Sequence, residues 1–186
     1  MKELSPVNSF LNTYKCVENQ SSNITSLTGG KYFVPTDKFS DLAKLLSDDL
    51  KKNNLHSLVQ KPCPNSCVCL DFDFRQNAND GKRKYDINDI NKIVDTCFKF
   101  LDDKIELNNE NAFAYIMERK TPYYYENKGK SFYKDGIHIM FPYLQCNKKL
   151  KGLLIEHLQK NLEFLEEKGY LNKLDDIVDK SILNNY

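Results

Sequence analysis

The stretch Cys67-Val68-Cys69-Leu70-Asp71-Phe72-Asp73-Phe74 decides how the rest of the chain is read. It is short, apolar and bounded upstream by Pro62, Pro64 and Asn65, the signature of a β-strand set inside a sheet. Side chains two apart on a strand share a face. Asp71 and Asp73 therefore project together, while Leu70, Phe72 and Phe74 point into a core. Their Cα atoms lie roughly 6–7 Å apart, close enough for both carboxylates to grip one or two divalent cations. Two anions side by side on an apolar strand repel one another unless something neutralises them. A strand end with two solvated carboxylates would carry the same letters.

Working outward, the polar loop Gln76 to Lys84 leads to Asp86, which caps a helix with Ile87, Ile90, Ile93, Val94, Cys97, Phe98 and Leu101 on or near one face. Ala112 to Met117 reads as a strand, and Thr121 to Lys130 as a tyrosine-rich loop. Ser131 to Phe141 reads as a third central strand, closed by Pro142. Lys148 to Lys168 gives an amphipathic helix on Leu150, Leu153, Leu154, Leu158, Leu162 and Leu165, with Gly169 as its C-cap. An apolar patch, Leu171 to Leu183, follows. On the N-terminal side, Thr28 to Pro35 predicts a turn into a short strand. Thr36 reads as the N-cap of a helix to about Lys52 carrying Phe39, Leu42, Ala43, Leu46 and Leu50. Residues 1–27 are polar and read as a loosely ordered lead-in, with residues 28–186 as the core. Strands alternate with helices over connections of varied length, which favours an α+β or mixed α/β sheet with helices on one side.

The balance of 27 Lys and Arg against 26 Asp and Glu leaves a net charge of +1, so any nucleic acid must be met by a local basic patch and not by a global field. No apolar run approaches the roughly 20 residues of a membrane span, and no secretory leader is visible. A soluble, intracellular protein with no membrane partner is expected, and its six cysteines are expected as free thiols. Cys63, Cys67 and Cys69 follow a C-x3-C-x-C spacing, with Cys146 or His157 as the only evident completions; this is not a usual zinc pattern, and zinc is not expected.

Two further stretches bear on chemistry. In Lys134-Asp135-Gly136-Ile137-His138-Ile139-Met140-Phe141-Pro142, alternation sets His138 on the opposite face from Ile137, Ile139 and Phe141, with Gly136 leaving room beside it. A structural histidine would sit there equally well. In Asp175-Asp176-Ile177-Val178-Asp179-Lys180-Ser181, Asp179 follows two β-branched residues and suits a strand end, though a charged helical turn reads the same way. Lys82-Arg83-Lys84, with Arg75 nearby, is either a phosphate-contacting cluster or a solvated loop. Arg119, Lys120, Lys128, Lys130 and Lys134 flank Tyr123, Tyr124 and Tyr125, an interleaving that suits single-stranded nucleic acid or, equally, a tyrosine cluster over a sheet edge.

The order of the three acidic and histidine features resembles the motifs of the archaeo-eukaryotic primase superfamily, most closely the N-terminal primase domains of primase–helicase replication proteins of large DNA viruses of eukaryotes. That pattern is D-x-D on an apolar strand, K-x-G-x-H before apolar residues and Pro, then D-x-S. Here it is carried by Asp71-Phe72-Asp73, Lys134-Asp135-Gly136-Ile137-His138, and Asp179-Lys180-Ser181, over about residues 28–186. The resemblance implies an RRM-like, largely antiparallel central sheet with helices packed on it and an N-terminal α/β unit. It implies a DNA-directed nucleotidyltransferase that makes primers on single-stranded DNA from nucleoside triphosphates during replication. Asp71, Asp73 and Asp179 would hold two magnesium or manganese ions, His138 would contact the incoming phosphates, and Lys134 and Arg119 would assist in binding the nucleotide. A helicase domain or chain would be a partner, at a viral replication site or in the host cytoplasm or nucleus. The family continues past its third motif, whereas this sequence ends seven residues after Asp179, so a core shortened at its C-terminus is expected. A silent nucleic-acid-binding fragment and a metal-dependent nuclease are the rival readings.

Overall fold

A computed structural model of the chain describes residues 5–18, 20–61 and 65–180. The chain divides into two compact units, residues 1–63 and 64–186.

In the first unit, helix α1 (Pro6–Thr13) starts at Ser5, whose hydroxyl accepts from the Asn8 N–H, with Pro6 in the first turn. Strands β1 (Ile24–Ser26) and β2 (Lys31–Tyr32) form a hairpin, and β3 (Leu58–Gln60) pairs with the other edge of β1, all antiparallel. The hairpin turns through Gly29 and Gly30, both at φ near +110°, which side-chain-bearing residues avoid. A 3-10 turn (Thr36–Lys38) leads into helix α2 (Phe39–Lys51). The entry to this helix departs from expectation, since no side chain caps it. Leu42 is buried with Val7, Leu11, Ile24, Tyr32 and Val34, but Leu50 points to solvent. Asp49 is buried in its place, its carboxylate 2.7 Å from His56 Nε2.

The second unit is built on two long strands, β4 (Asn65–Asn77) and β7 (Lys130–Asn147), paired antiparallel. Strand β5 (Tyr115–Glu118) and strand β6 (Tyr123–Asn127) both pair with the opposite edge of β7, also antiparallel. The alternation of β4 is realised residue by residue: Val68, Leu70, Phe72 and Phe74 are buried, while Cys69, Asp71 and Asp73 face the open side. Ile137, Ile139 and Phe141 of β7 complete the inner face, which helices α3 (Ile87–Asp102) and α4 (Lys148–Asn161) cover. Full burial of Phe72, Phe74 and Phe141 stabilises this layer by about 2–3 kcal/mol per ring.

Asp86 caps α3 as the sequence predicts, its carboxylate accepting from Asn88 and Asp89 N–H while Asp89 bonds back to the Asp86 N–H. Three departures have local causes. The tyrosine-rich segment is not a loop: it is β6, joined to β7 by a two-residue turn in which Lys128 and Gly129 both have positive φ (+50° and +75°). Strand β7 does not stop at Pro142: the register jumps from Phe141 opposite Val68 to Gln145 opposite Cys67, so Pro142, Tyr143 and Leu144 sit in a bulge where no ladder donor is required. Helix α4 ends at Asn161, and a 3-10 segment (Glu163–Lys168) keeps Leu162 and Leu165 on the buried side before Gly169 terminates it at φ +67°. Leu153, by contrast, is exposed.

Candidate active site

The β4–β7 register sets Asp71 opposite His138, Asp73 opposite Gly136 and Arg75 opposite Lys134. Opposed residues share a face, so these side chains meet on the side of the sheet that, among the described residues, no helix covers. His138 Nε2 lies 3.0 Å from Asp71 Oδ1, and Lys134 Nζ lies 3.9 Å from Asp73 Oδ1. The His138 side chain is 63% exposed and those of Asp71 and Asp73 about a third, so the group is open to ligands. Gly136 is required by close approach: a Cβ there would stand 2.9 Å from the Phe72 carbonyl oxygen, a backbone atom of the neighbouring strand. Gly136→Ala is expected to lower stability by about 1–3 kcal/mol by forcing the two motif strands apart. Urea unfolding would measure this, and an unchanged midpoint would mean that the strands yield freely.

The third motif arrives from more than 100 residues away in sequence. After the short helix α5 (Leu174–Ile177), Val178 forms an antiparallel bridge with Phe72, and the Asp179 N–H donates to the Asp71 carbonyl at 3.0 Å. Asp179 therefore does lie at a strand-like end, beside Asp71. Its Ser181 neighbour lies outside the described residues.

Asn172, which sequence reasoning did not single out, holds the same strand edge. Its amide donates to the Asp73 carbonyl (2.8 Å), its oxygen accepts from the Arg75 N–H (2.9 Å), and the Leu171 N–H donates to the Arg75 carbonyl (2.7 Å). Asn172 is buried, so its side chain acts as a stretch of partner strand along β4. An Asn three residues past a helix-ending glycine gave no signal of this. Asn172→Ala leaves two strand groups without partners and is expected to cost about 2–3 kcal/mol, read as a lowered denaturation midpoint.

Electrostatics follow from this packing. Burial lifts the Asp71 carboxyl above the ordinary carboxylate range; His138 pulls it down, and the charges of Asp73 and Asp179 push it up again. The three carboxylates form an oxygen donor set of like charge, which a hard dication would neutralise. As placed, no three His, Cys, Asp or Glu side chains among the described residues are already gathered tightly enough to hold an ion. The donor chemistry fits magnesium or manganese, with Asp71 Oδ1 engaged by His138 in the structure.

Around the carboxylates the open face carries Tyr115 and Met117 of β5, both exposed, with Met117 paired to His138. The Arg119 guanidinium stacks 4.7 Å from the centre of the Tyr123 ring, and its backbone N–H reaches the Gly136 carbonyl at 3.4 Å. Arg119 and Lys134 thus both border the site.

Arg83 does not. It donates to both oxygens of the fully buried Asp135 (2.8 and 3.1 Å), to Glu118 (3.0 Å) and to the Arg119 carbonyl, a clamp that ties three segments together. Lys84 is likewise spent on Asp80 and the Gly169 carbonyl. Neither is a solvated or phosphate-facing cation. The Cys67 and Cys69 sulfurs stand 3.7 Å apart, and burial together with Cys67 pushes the Cys69 thiol up to about 12, so it is protonated at neutral pH. Cys16, Cys97 and Cys146 are also free thiols, and Cys63 lies outside the described residues. His157 stacks on Phe100.

Residues 23–186 match the family described as the C962R protein N-terminal AEP domain, AEP standing for archaeo-eukaryotic primase. The chain is also 22% identical over 157 residues to a protein of Acanthamoeba polyphaga mimivirus named "Putative helicase L207/L206". The matched stretch is 83% of this chain and 16% of that protein, so the chain spans under a fifth of its relative.

Proposed function

The chain belongs to the archaeo-eukaryotic primase family, as a domain of the C962R N-terminal type, and from that premise we propose that it is a DNA-directed nucleotidyltransferase core that synthesises primers on single-stranded DNA. One observation carries the reading. Asp71 is paired across the sheet with His138 and hydrogen-bonded along its own edge to Asp179, which brings the three motifs to one spot. The four antiparallel strands with α3 and α4 behind them suit the RRM-like architecture such a site is built on.

Asp71, Asp73 and Asp179 would hold two magnesium or manganese ions. When bound, such ions activate an attacking 3′-hydroxyl and neutralise departing pyrophosphate. The protein's own groups do the rest. His138, with its ring largely exposed, is released from Asp71 to donate to a phosphate oxygen of the nucleoside triphosphate. Lys134 and Arg119 flank it and supply the positive charge that a triphosphate needs. Tyr115, Met117 and the Arg119-capped Tyr123 ring offer the stacking surface on which template bases lie. The helicase designation of the mimivirus relative supports a helicase domain or chain as the working partner. Among the described residues, no helix is long and apolar enough to cross a membrane.

Calorimetric titration with manganese and a nucleoside triphosphate tests this. Binding should require manganese and weaken about tenfold or more in His138→Ala, the loss of one charge-assisted hydrogen bond in a partly exposed site. A wild-type protein that binds nucleotide equally well without metal, or not at all, would remove the proposal.

A further inference from the structure

Some cations of the second unit are neutralised by neighbours and others are not. Arg83, Lys84, Lys134 and Lys168 are each paired with a carboxylate. Arg75, Lys130 and Lys173 have no ion-pair partner among the described residues, yet they come from three separate segments to line one cavity of about 550 Å³. Arg75 stands on β4, Lys130 opens β7, and Lys173 directly follows the edge-clamping Asn172. In a chain of net charge +1, three unneutralised cations around one hollow are a local concentration and not a share of a general field. Among the described residues, Asp176 is the one acidic residue on its wall.

The rest of the wall is built. The Arg75 guanidinium lies over the Phe132 ring, 5.8 Å from its centre. Asn172 is buried and fixed by its bonds to β4. Arg75 is two residues beyond Asp73 on the same open face, so the cavity continues the surface that bears the carboxylates.

We propose that this cavity is a phosphate-binding site, in which Arg75, Lys130 and Lys173 hold consecutive phosphodiesters of a nucleic-acid strand that crosses the sheet past Asp73. Three cations around one hollow match the charge of strand phosphates. The ligand class rests on the function proposed above, but the cavity's affinity for phosphate does not depend on catalysis.

The experiment measures fluorescence anisotropy of a labelled single-stranded oligonucleotide from 50 to 300 mM salt, together with calorimetry of inorganic triphosphate. Both compare wild type, the triple variant Arg75→Ala/Lys130→Ala/Lys173→Ala, and Asp71→Asn. The expected result is oligonucleotide binding weakened about tenfold or more in the triple variant, with the slope of log affinity against log salt reduced by about 2, since each single-strand phosphate contact contributes roughly 0.7. Asp71→Asn should leave that slope unchanged, which separates this site from failure of the metal site. If the triple variant loses triphosphate and keeps the oligonucleotide, the site is a phosphate site for free nucleotide and not for a strand. Unchanged binding of both ligands, or a wild type that binds neither, overturns the proposal. Circular dichroism of the triple variant checks that the fold is kept; should it fail, Lys130→Ala alone, a substitution in an exposed hairpin end, must lower the slope by about 0.7.

Discussion

Asp71→Asn is expected to reduce nucleotide incorporation by roughly 1,000-fold, the scale on which losing one organised electrostatic group acts on a charged transition state. The amide keeps the size of the carboxylate and can still accept from His138, so the loss isolates charge from shape. The same substitution should leave the metal-free protein at least as stable at neutral pH. Asp71 binds its proton more tightly when folded than when unfolded, because it is buried and faces Asp73 and Asp179. For a carboxyl raised in this way, the stabilising contribution is full below its ordinary value of about 4 and is lost as pH rises through its higher folded value. Wild-type stability should therefore fall over that window, and Asp71→Asn should flatten the fall. Manganese should raise the melting temperature of wild type and not of the variant, since an ion bound only by the folded state stabilises it. Incorporation preserved in Asp71→Asn would sink the catalytic assignment; a pH profile identical to wild type would show that Asp71 is not the strained carboxyl of the three.

The largest expected loss of stability lies outside the three motifs. Arg83→Met removes the guanidinium that holds Asp135, whose side chain is wholly buried beside Gly136. An uncompensated buried carboxylate costs about 3–5 kcal/mol. For a chain of this size that corresponds to a fall of roughly 10 °C in melting temperature. Adding Asp135→Asn should recover part of the loss, because the buried charge disappears while an amide oxygen can still accept from the Gly136 N–H (3.0 Å in the native chain). Arg83 also anchors the Arg119 carbonyl, so nucleotide affinity should fall in the single variant. Differential scanning calorimetry of both variants decides this. A shift of only a degree or two in Arg83→Met would mean that water reaches Asp135 and the clamp is ornamental.

Much of the site was legible because it is written in local periodicity. Asp71 and Asp73 on one face of β4, and His138 opposite Ile137 and Ile139 on β7, follow from the two-residue repeat of a strand. The cap at Asp86 and the stop at Gly169 follow from the chemistry of single helix ends. Strand β6 was hidden because Tyr123, Tyr124 and Tyr125 are all partly exposed and show no alternation; its signal was the Lys128-Gly129 turn. The bulge at Pro142 was hidden because the same proline would equally have ended a strand.

What the sequence determined by itself is which residues can act: strand and helix faces are set within four residues by backbone geometry, so the acidic pair, the histidine and the apolar stripes could be assigned without a fold. What only the tertiary structure decided is which partners they meet. Arg83 reaching Asp135, Asn172 spanning Asp73 and Arg75, and Asp179 docking against Asp71 join residues from 52 to more than 100 positions apart. No local rule distinguishes Arg83 from Arg75 or Arg119 as the cation that will be neutralised. That choice is made by strand register and by the path of the chain after α4, because a buried charge is tolerable only where the packed fold brings its counter-ion within hydrogen-bonding distance.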